Sequence, residues 1–68
     1  MTIYPRLVLQ MLTVAKHGSI SRAAAATGIS QPALSNSIAS LERSLGVRVL
    51  QRSRQGSQLT EFGLLVSR

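Results

Sequence analysis

Cysteine and tryptophan are missing from this 68-residue chain, which holds only two acidic residues, two aromatics (Tyr4 and Phe62) and one histidine. Without cysteine no disulfide can staple the fold, and His17 alone cannot build a metal site, so neither metal nor cofactor is expected. Catalysis needs paired carboxylates, an activated nucleophile or a metal cluster. Glu42, Glu61 and His17 supply none of these, so an enzyme is not expected. The scarcity of aromatic rings argues against binding single-stranded nucleic acid, where bases stack on such rings. Long apolar runs are missing too. The stretch from Leu7 to Ala15 follows Arg6, but Gln10 and Thr13 interrupt it and Lys16 and His17 close it. That pattern gives neither a signal peptide nor the ~20 apolar residues of a membrane span.

What is present is positive charge. Eight lysines and arginines outnumber the two acids, for a net charge of +6 and a pI near 11.9. Such a balance favours a polyanionic partner. A membrane-active peptide would line one helix face with its cations, whereas here they are spread along the whole chain. Nucleic acid is the expected partner, and a helix bundle that binds another protein is the alternative, which binding with little sensitivity to charge would mark. The lack of cysteine fits a reducing cytoplasm. A chain this short buries only about 60% of its unfolded surface, so stability must come from close helix packing or from a partner.

Four helices and a hairpin are expected. Pro5 suits a first helical turn and Gly18 its end. Between them Val8, Met11, Leu12 and Ala15 share one face of a helix. Ser21 is the expected N-cap of a short second helix through Thr27, which Gly28 stops. Ser30 caps a third helix with Pro32 in its first turn, and Gly46 ends it after Leu45. At ~100° per residue, Leu34, Ile38, Leu41 and Leu45 form a narrow aliphatic seam, with Pro32, Asn36, Ala39 and Arg43 opposite and Ser35 beside them. Val47, Val49 and Leu50 suggest a strand, 52–57 a turn, and Gln58 with Leu59 a return strand. Thr60 and Glu61 open a last helix carrying Phe62, Leu64, Leu65 and Val66.

Two helices joined by a tight turn, with a small residue inside the first, make a helix-turn-helix. Ala24 is the expected small residue. Gly28 makes the turn, Ile29 plugs beneath it, and Leu34 and Ile38 pin the second helix. The runs Gly18-Ser19-Ile20-Ser21-Arg22-Ala23-Ala24 and Ile29-Ser30-Gln31-Pro32-Ala33-Leu34-Ser35 carry a family resemblance. So do Ile38, Leu41-Glu42, Leu45-Gly46-Val47, Arg52 and Leu59-Thr60-Glu61. Together they resemble the N-terminal domain of LysR-type transcriptional regulators across nearly the whole chain.

The resemblance implies a mainly α winged helix-turn-helix: a three-helix core, a short β-hairpin wing and the start of a linker helix. Residues 1–59 would be the DNA-binding domain, and 60–68 the truncated start of a dimerising linker helix. A small-molecule effector would act only through a downstream domain that these 68 residues do not include. The implied function is sequence-specific binding of double-stranded DNA by a homodimeric or larger bacterial transcription regulator in the cytoplasm. Its recognition helix, about 31–45, would lie in the major groove, and its wing, about 48–59, on backbone or minor groove. The family usually has an aromatic residue at the positions of Ile20 and Leu50, an acid at Gln51 and often arginine at Asn36. Those departures bear on the operator sequence, not on the fold.

Gln31, Pro32, Ser35 and Asn36 are the expected base readers. Gln and Asn can bond adenine N6 and N7 together, Ser reaches bases or phosphates, and the Pro ring can touch a thymine methyl. Ser21, Arg22, Ser30 and Arg43 are expected on phosphates, the two serines beside helix N-termini whose free N–H groups attract anions. Arg52 and Arg54 are expected on backbone or minor groove. Arg6, Arg48 and Arg68 are taken as surface charge, His17 as a helix-end residue, and Glu42 as the partner of Arg52 or, failing that, Arg48.

Neutralising Arg22, Arg52 or Arg54 is expected to weaken binding to all duplex sequences alike. It should also flatten the log–log salt dependence of affinity by about one unit. Binding isotherms across a salt series check this, and a loss confined to one DNA sequence would mean base reading from the wing instead.

Overall fold

The computed structural model describes residues 3–53 and 56–66, excluding the side chains of 3, 4, 52 and 53. The element order is α1 (Ile3–His17), α2 (Ile20–Thr27), α3 (Gln31–Leu45), β1 (Leu50–Ser53), β2 (Gly56–Leu59) and α4 (Glu61–Val66). The two strands pair antiparallel, with Leu50 opposite Leu59 and Ser53 opposite Gly56. Three helices and a hairpin wing make the winged helix-turn-helix, with α4 leaving from the foot of the wing.

The core is aliphatic and small. Met11 and Val14 from α1, Ala23 from α2, Leu34, Ile38 and Leu41 from α3, and Val49 and Leu50 at the wing base are buried together. On α1 the buried line is therefore Met11 and Val14. Val8, Leu12 and Ala15 flank it half-buried, so the face expected from Val8 to Ala15 is turned toward Val14. On α3 the seam holds through Leu41, but Leu45 at the helix end is exposed. Full burial of each such side chain stabilises by about 1.5–3 kcal/mol. In a domain this size, loss of a single one is a large fraction of the total.

Three boundaries differ from the sequence expectation. The cap of α2 is Ser19, not Ser21: Ser19 is extended, and its Oγ accepts the Arg22 N–H at 3.1 Å. Starting two residues earlier brings Ile20 onto the core side, half-buried, and leaves Ser21 exposed inside the helix. Ala23 is fully buried, and Ala24, the expected small residue, packs half-buried against the same core. Val47 and Val49 precede the first strand rather than forming it. Val49 is buried all the same. The return strand starts at Gly56, and Ser57, its buried polar residue, donates its N–H to the Gly18 carbonyl at 2.6 Å. That bond docks the wing on the α1–α2 turn. A Cβ at Gly56 would run into the same carbonyl, and its φ of 122° suits only glycine.

The other ends fall as expected. Ser30 caps α3 with its Oγ accepting the Ala33 N–H at 3.2 Å, and Gly46 closes the helix. Gly28 takes the left-handed conformation, φ 77°, and its N–H returns to the Ala24 carbonyl, so the chain can turn sharply into α3. Thr60 Oγ1 accepts the Gly63 N–H at 3.1 Å and so caps α4.

Because Ser19 and not Ser21 satisfies the helix end, Ser19→Ala is expected to cost about 1 kcal/mol of stability, while Ser21→Ala stays within a few tenths. Urea unfolding of the two variants checks this. Equal losses, or a larger one at Ser21, would contradict the cap assignment.

Candidate nucleic-acid interface

The seam that α3 buries decides what it presents outward. With Leu34, Ile38 and Leu41 turned to the core, the first two residues of the helix, Gln31 and Pro32, are exposed, and so are Ala33 and Asn36. Ser35 is half-buried, on the flank of α3 that faces the wing. There it lines a shallow cleft with Ile20, Ile38, Ala39, Glu42, Arg48, Leu50 and Ser57. The four expected base readers thus gather at the leading end and outer side of one helix. The first turn of α3 offers amide hydrogens that the helix itself leaves unpaired. The Ser30 hydroxyl caps one of them and keeps its own proton to donate.

Of the expected phosphate contacts, Ser21 and Arg22 are exposed at the start of α2, although Ser21 no longer serves as the cap. Arg43 is exposed three turns along α3, where its Nη2 donates to Ser40 Oγ at 3.3 Å, so its guanidinium lies along the helix. Arg52 falls on β1, but its side chain lies outside the described residues, as does the whole of Arg54; Arg68 lies outside them too. Arg6 and Arg48 are exposed, and His17 ends α1.

The position of Glu42 matters most to the electrostatics. At 100° per residue it shares the flank of Ser35, where a free carboxylate would repel a polyanion. Its Oε2 is instead drawn under the helix by two backbone donors, Val49 N–H at 2.9 Å and Leu50 N–H at 3.4 Å. Among the described residues its partner is therefore backbone rather than the Arg48 guanidinium, and the Arg52 alternative rests on a side chain outside them. The physical reason is proximity: past Gly46 the chain runs close enough to α3 for the Val49 and Leu50 amides to reach the carboxylate, while Arg48 is exposed. Glu61, the second acid, sits in the first turn of α4, beside Val47, Gln51 and Phe62 in a separate depression. The start of α2 and the leading end of α3 carry no acid at all.

Sequence reasoning missed Ser19, Thr60 as a donor, and the close packing at Gly63. The Thr60 hydroxyl gives its proton to the Arg48 carbonyl at 2.6 Å, and the Thr60 N–H reaches the Val49 carbonyl at 3.0 Å. A Cβ at Gly63 would collide with that same Val49 carbonyl. The Gly18-Ser19 pair could have revealed the true cap, because a helix-ending glycine leaves the very next residue free to start another helix. The Thr60 contact crosses 12 positions and has no local signature.

An exposed polar helix end set on a buried aliphatic seam, with a basic surface and a wing beside it, defines a DNA-binding domain of the winged helix-turn-helix class. The profile of bacterial regulatory helix-turn-helix proteins of the lysR family matches residues 6–64. The chain belongs to that family, whose common domain binds DNA in transcription regulators and is not an enzyme. It is 46% identical over 61 residues to the SDS degradation transcriptional activation protein of a Pseudomonas strain, covering 90% of this chain and 20% of that protein. With the BudR regulator of Raoultella terrigena the identity is 43% over 58 residues, 85% of this chain and 20% of the relative. The chain thus spans about one fifth of the length of these two curated relatives. The fold is similar to that of the CbnR DNA-binding domain in a DNA complex, with TM-score 0.82 and 34% identity over 91% of this chain and 71% of that one. It is equally similar to the BenM DNA-binding domain bound to benA site 1 DNA, with TM-score 0.82, 31% identity, and 91% and 72% coverage.

Proposed function

We propose that this chain reads a specific double-stranded DNA sequence for a bacterial transcription regulator, with the leading end of α3 in the major groove. The observation that carries the reading is the presentation of Gln31, Pro32 and Asn36, exposed, with Ser35 beside them, on a helix whose rotation is set by buried Leu34, Ile38 and Leu41. Gln31 and Asn36 present amides that can bond an adenine edge, Ser35 is the short hydroxyl on the wing side, and the Pro32 ring offers apolar contact to a thymine methyl. Ser21, Arg22 and Ser30 hold phosphates at the starts of α2 and α3, Arg43 reaches only the backbone, and Arg52 with Arg54 give the wing its charge. Two relatives of similar fold are described with bound DNA, which supports carrying the partner over.

The functional unit in this reading is a homodimer. Phe62, Leu64 and Leu65 of α4 are each about half exposed, at 49%, 54% and 59%. A six-residue helix with that much bare apolar surface is not stable by itself. Pairing with a second copy covers it, and sets two reading helices about 34–36 Å apart on a pseudo-palindromic site. A DNA partner puts the protein in the bacterial cytoplasm, and any effector acts through parts of the regulator beyond these residues.

Selection of duplexes from a random pool tests the reading, with α4 extended so that two copies can pair. Gln31→Ala and Asn36→Ala are each expected to relax preference at one base position and to cost about 1–3 kcal/mol there. Variants that select the same sequences with unchanged affinity would refute the base-reading assignment.

A further inference from the structure

The three residues that lead from α3 into the wing, 48–50, are fastened from both sides. Glu42 on α3 accepts the N–H groups of Val49 and Leu50. From the other side Thr60 takes both carbonyls: its hydroxyl donates to Arg48 O and its N–H to Val49 O. The same Thr60 oxygen accepts the Gly63 N–H and caps α4, and Gly63 packs so closely on Val49 O that a Cβ would collide with it. Two amides and two carbonyls of this strap are thus held by one side chain of α3 and one residue at the head of α4. Val49 is fully buried between them, so the strap cannot shift without opening the core.

We propose that Glu42 and Thr60 are positioning residues for DNA recognition, clamping the strap so that α3, the wing and α4 turn as one rigid body. The claim rests on the reading above, in which α3 meets the groove and α4 leads to the second copy. Its physical content is that the attitude of α4 is passed to the reading helix through residues 48–50. Their Val49 and Leu50 N–H groups are held by Glu42 of α3, and their Arg48 and Val49 carbonyls by the hydroxyl and the N–H of Thr60 at the head of α4. A hinged α4 would let two reading heads drift in spacing and rotation. A clamped one fixes both.

The test compares Glu42→Leu and Thr60→Val, which remove the acceptor and the hydroxyl, with Glu42→Gln and Thr60→Ser, which keep them. Leu12→Ala serves as a destabilised control, since it thins the half-buried packing that flanks the core on α1 and is given no part in setting α3 or the strap. Amide hydrogen exchange and residual dipolar couplings are measured on this chain, and affinity for a selected duplex on the chain with α4 extended, at a temperature where every variant is folded. In Glu42→Leu, exchange at Val49 and Leu50 is expected to quicken at least tenfold. In both disruptive variants the couplings of α4 should leave the frame of α3, and affinity should fall about tenfold. The conservative variants should restore all three, and Leu12→Ala should leave orientation and affinity at parental values.

Should Glu42→Leu fail to fold, Thr60→Val carries the same test from the α4 side. Unchanged α4 couplings in the disruptive variants, with DNA binding intact in the parent, would overturn the clamp alone. So would an affinity loss in Leu12→Ala equal to theirs. A parent that binds no selected duplex would overturn the DNA reading, and with it the role of the clamp in recognition, whatever the couplings show.

Discussion

The burial of Leu34, Ile38 and Leu41 against Met11 and Val14 fixes the rotation of α3 about its own axis, and that rotation decides which side chains can meet a groove. Turned by one residue, the helix would bury Ser35 and expose Leu34, and the proposed reading surface would be lost together with the core. The constraint is tight because the core is small. Truncating one buried leucine to alanine typically costs 2–5 kcal/mol, comparable to the whole stability expected of so short a domain. No disulfide shares the task, since the chain has no cysteine. Packing, helix caps and the docking of the wing carry the fold between them.

The second constraint is electrostatic, and it acts by removal as much as by placement. A net charge of +6 attracts any polyanion, but the proposed reading of bases needs the leading end of α3 to approach their edges without repulsion. The fold meets this by turning the Glu42 carboxylate under the helix onto Val49 and Leu50 and by putting Glu61 at the head of α4. There Glu61 also lies at the favourable end of a helix dipole. One acid is thus used to hold the wing base and the other to start a helix.

Most of this arrangement was legible in the sequence because its signals are local. The spacing of Leu34, Ile38 and Leu41 gave the buried face of α3, and Ser30 with Gly46 gave its ends. Gly28 gave the turn that sets α2 against α3. Errors arose where two local signals compete or where the deciding contact is distant. Ser19 and Ser21 are both plausible caps, and only the packing of Ile20 and Ala23 separates them. Val14 sits beside the expected α1 face, and periodicity alone cannot say which of two adjacent lines is the centre. The fate of Glu42 and of Thr60 depends on a chain reversal 7 to 12 residues away, which no window of periodicity contains. The candidate base readers were legible as residue types at the start of a helix; that they gather at its leading end and outer side follows from the burial of the seam.

The central claim is that the leading end of α3 enters the major groove and touches bases. Intermolecular NOEs between the labelled domain and a duplex selected from a random pool test it most directly. The account predicts contacts from the side chains of Gln31, Pro32 and Asn36 to major-groove base protons, including a thymine methyl, with Arg22 and Arg43 near sugar or phosphate positions only. Contacts confined to α1 or α4, or from α3 to the backbone alone, would contradict it.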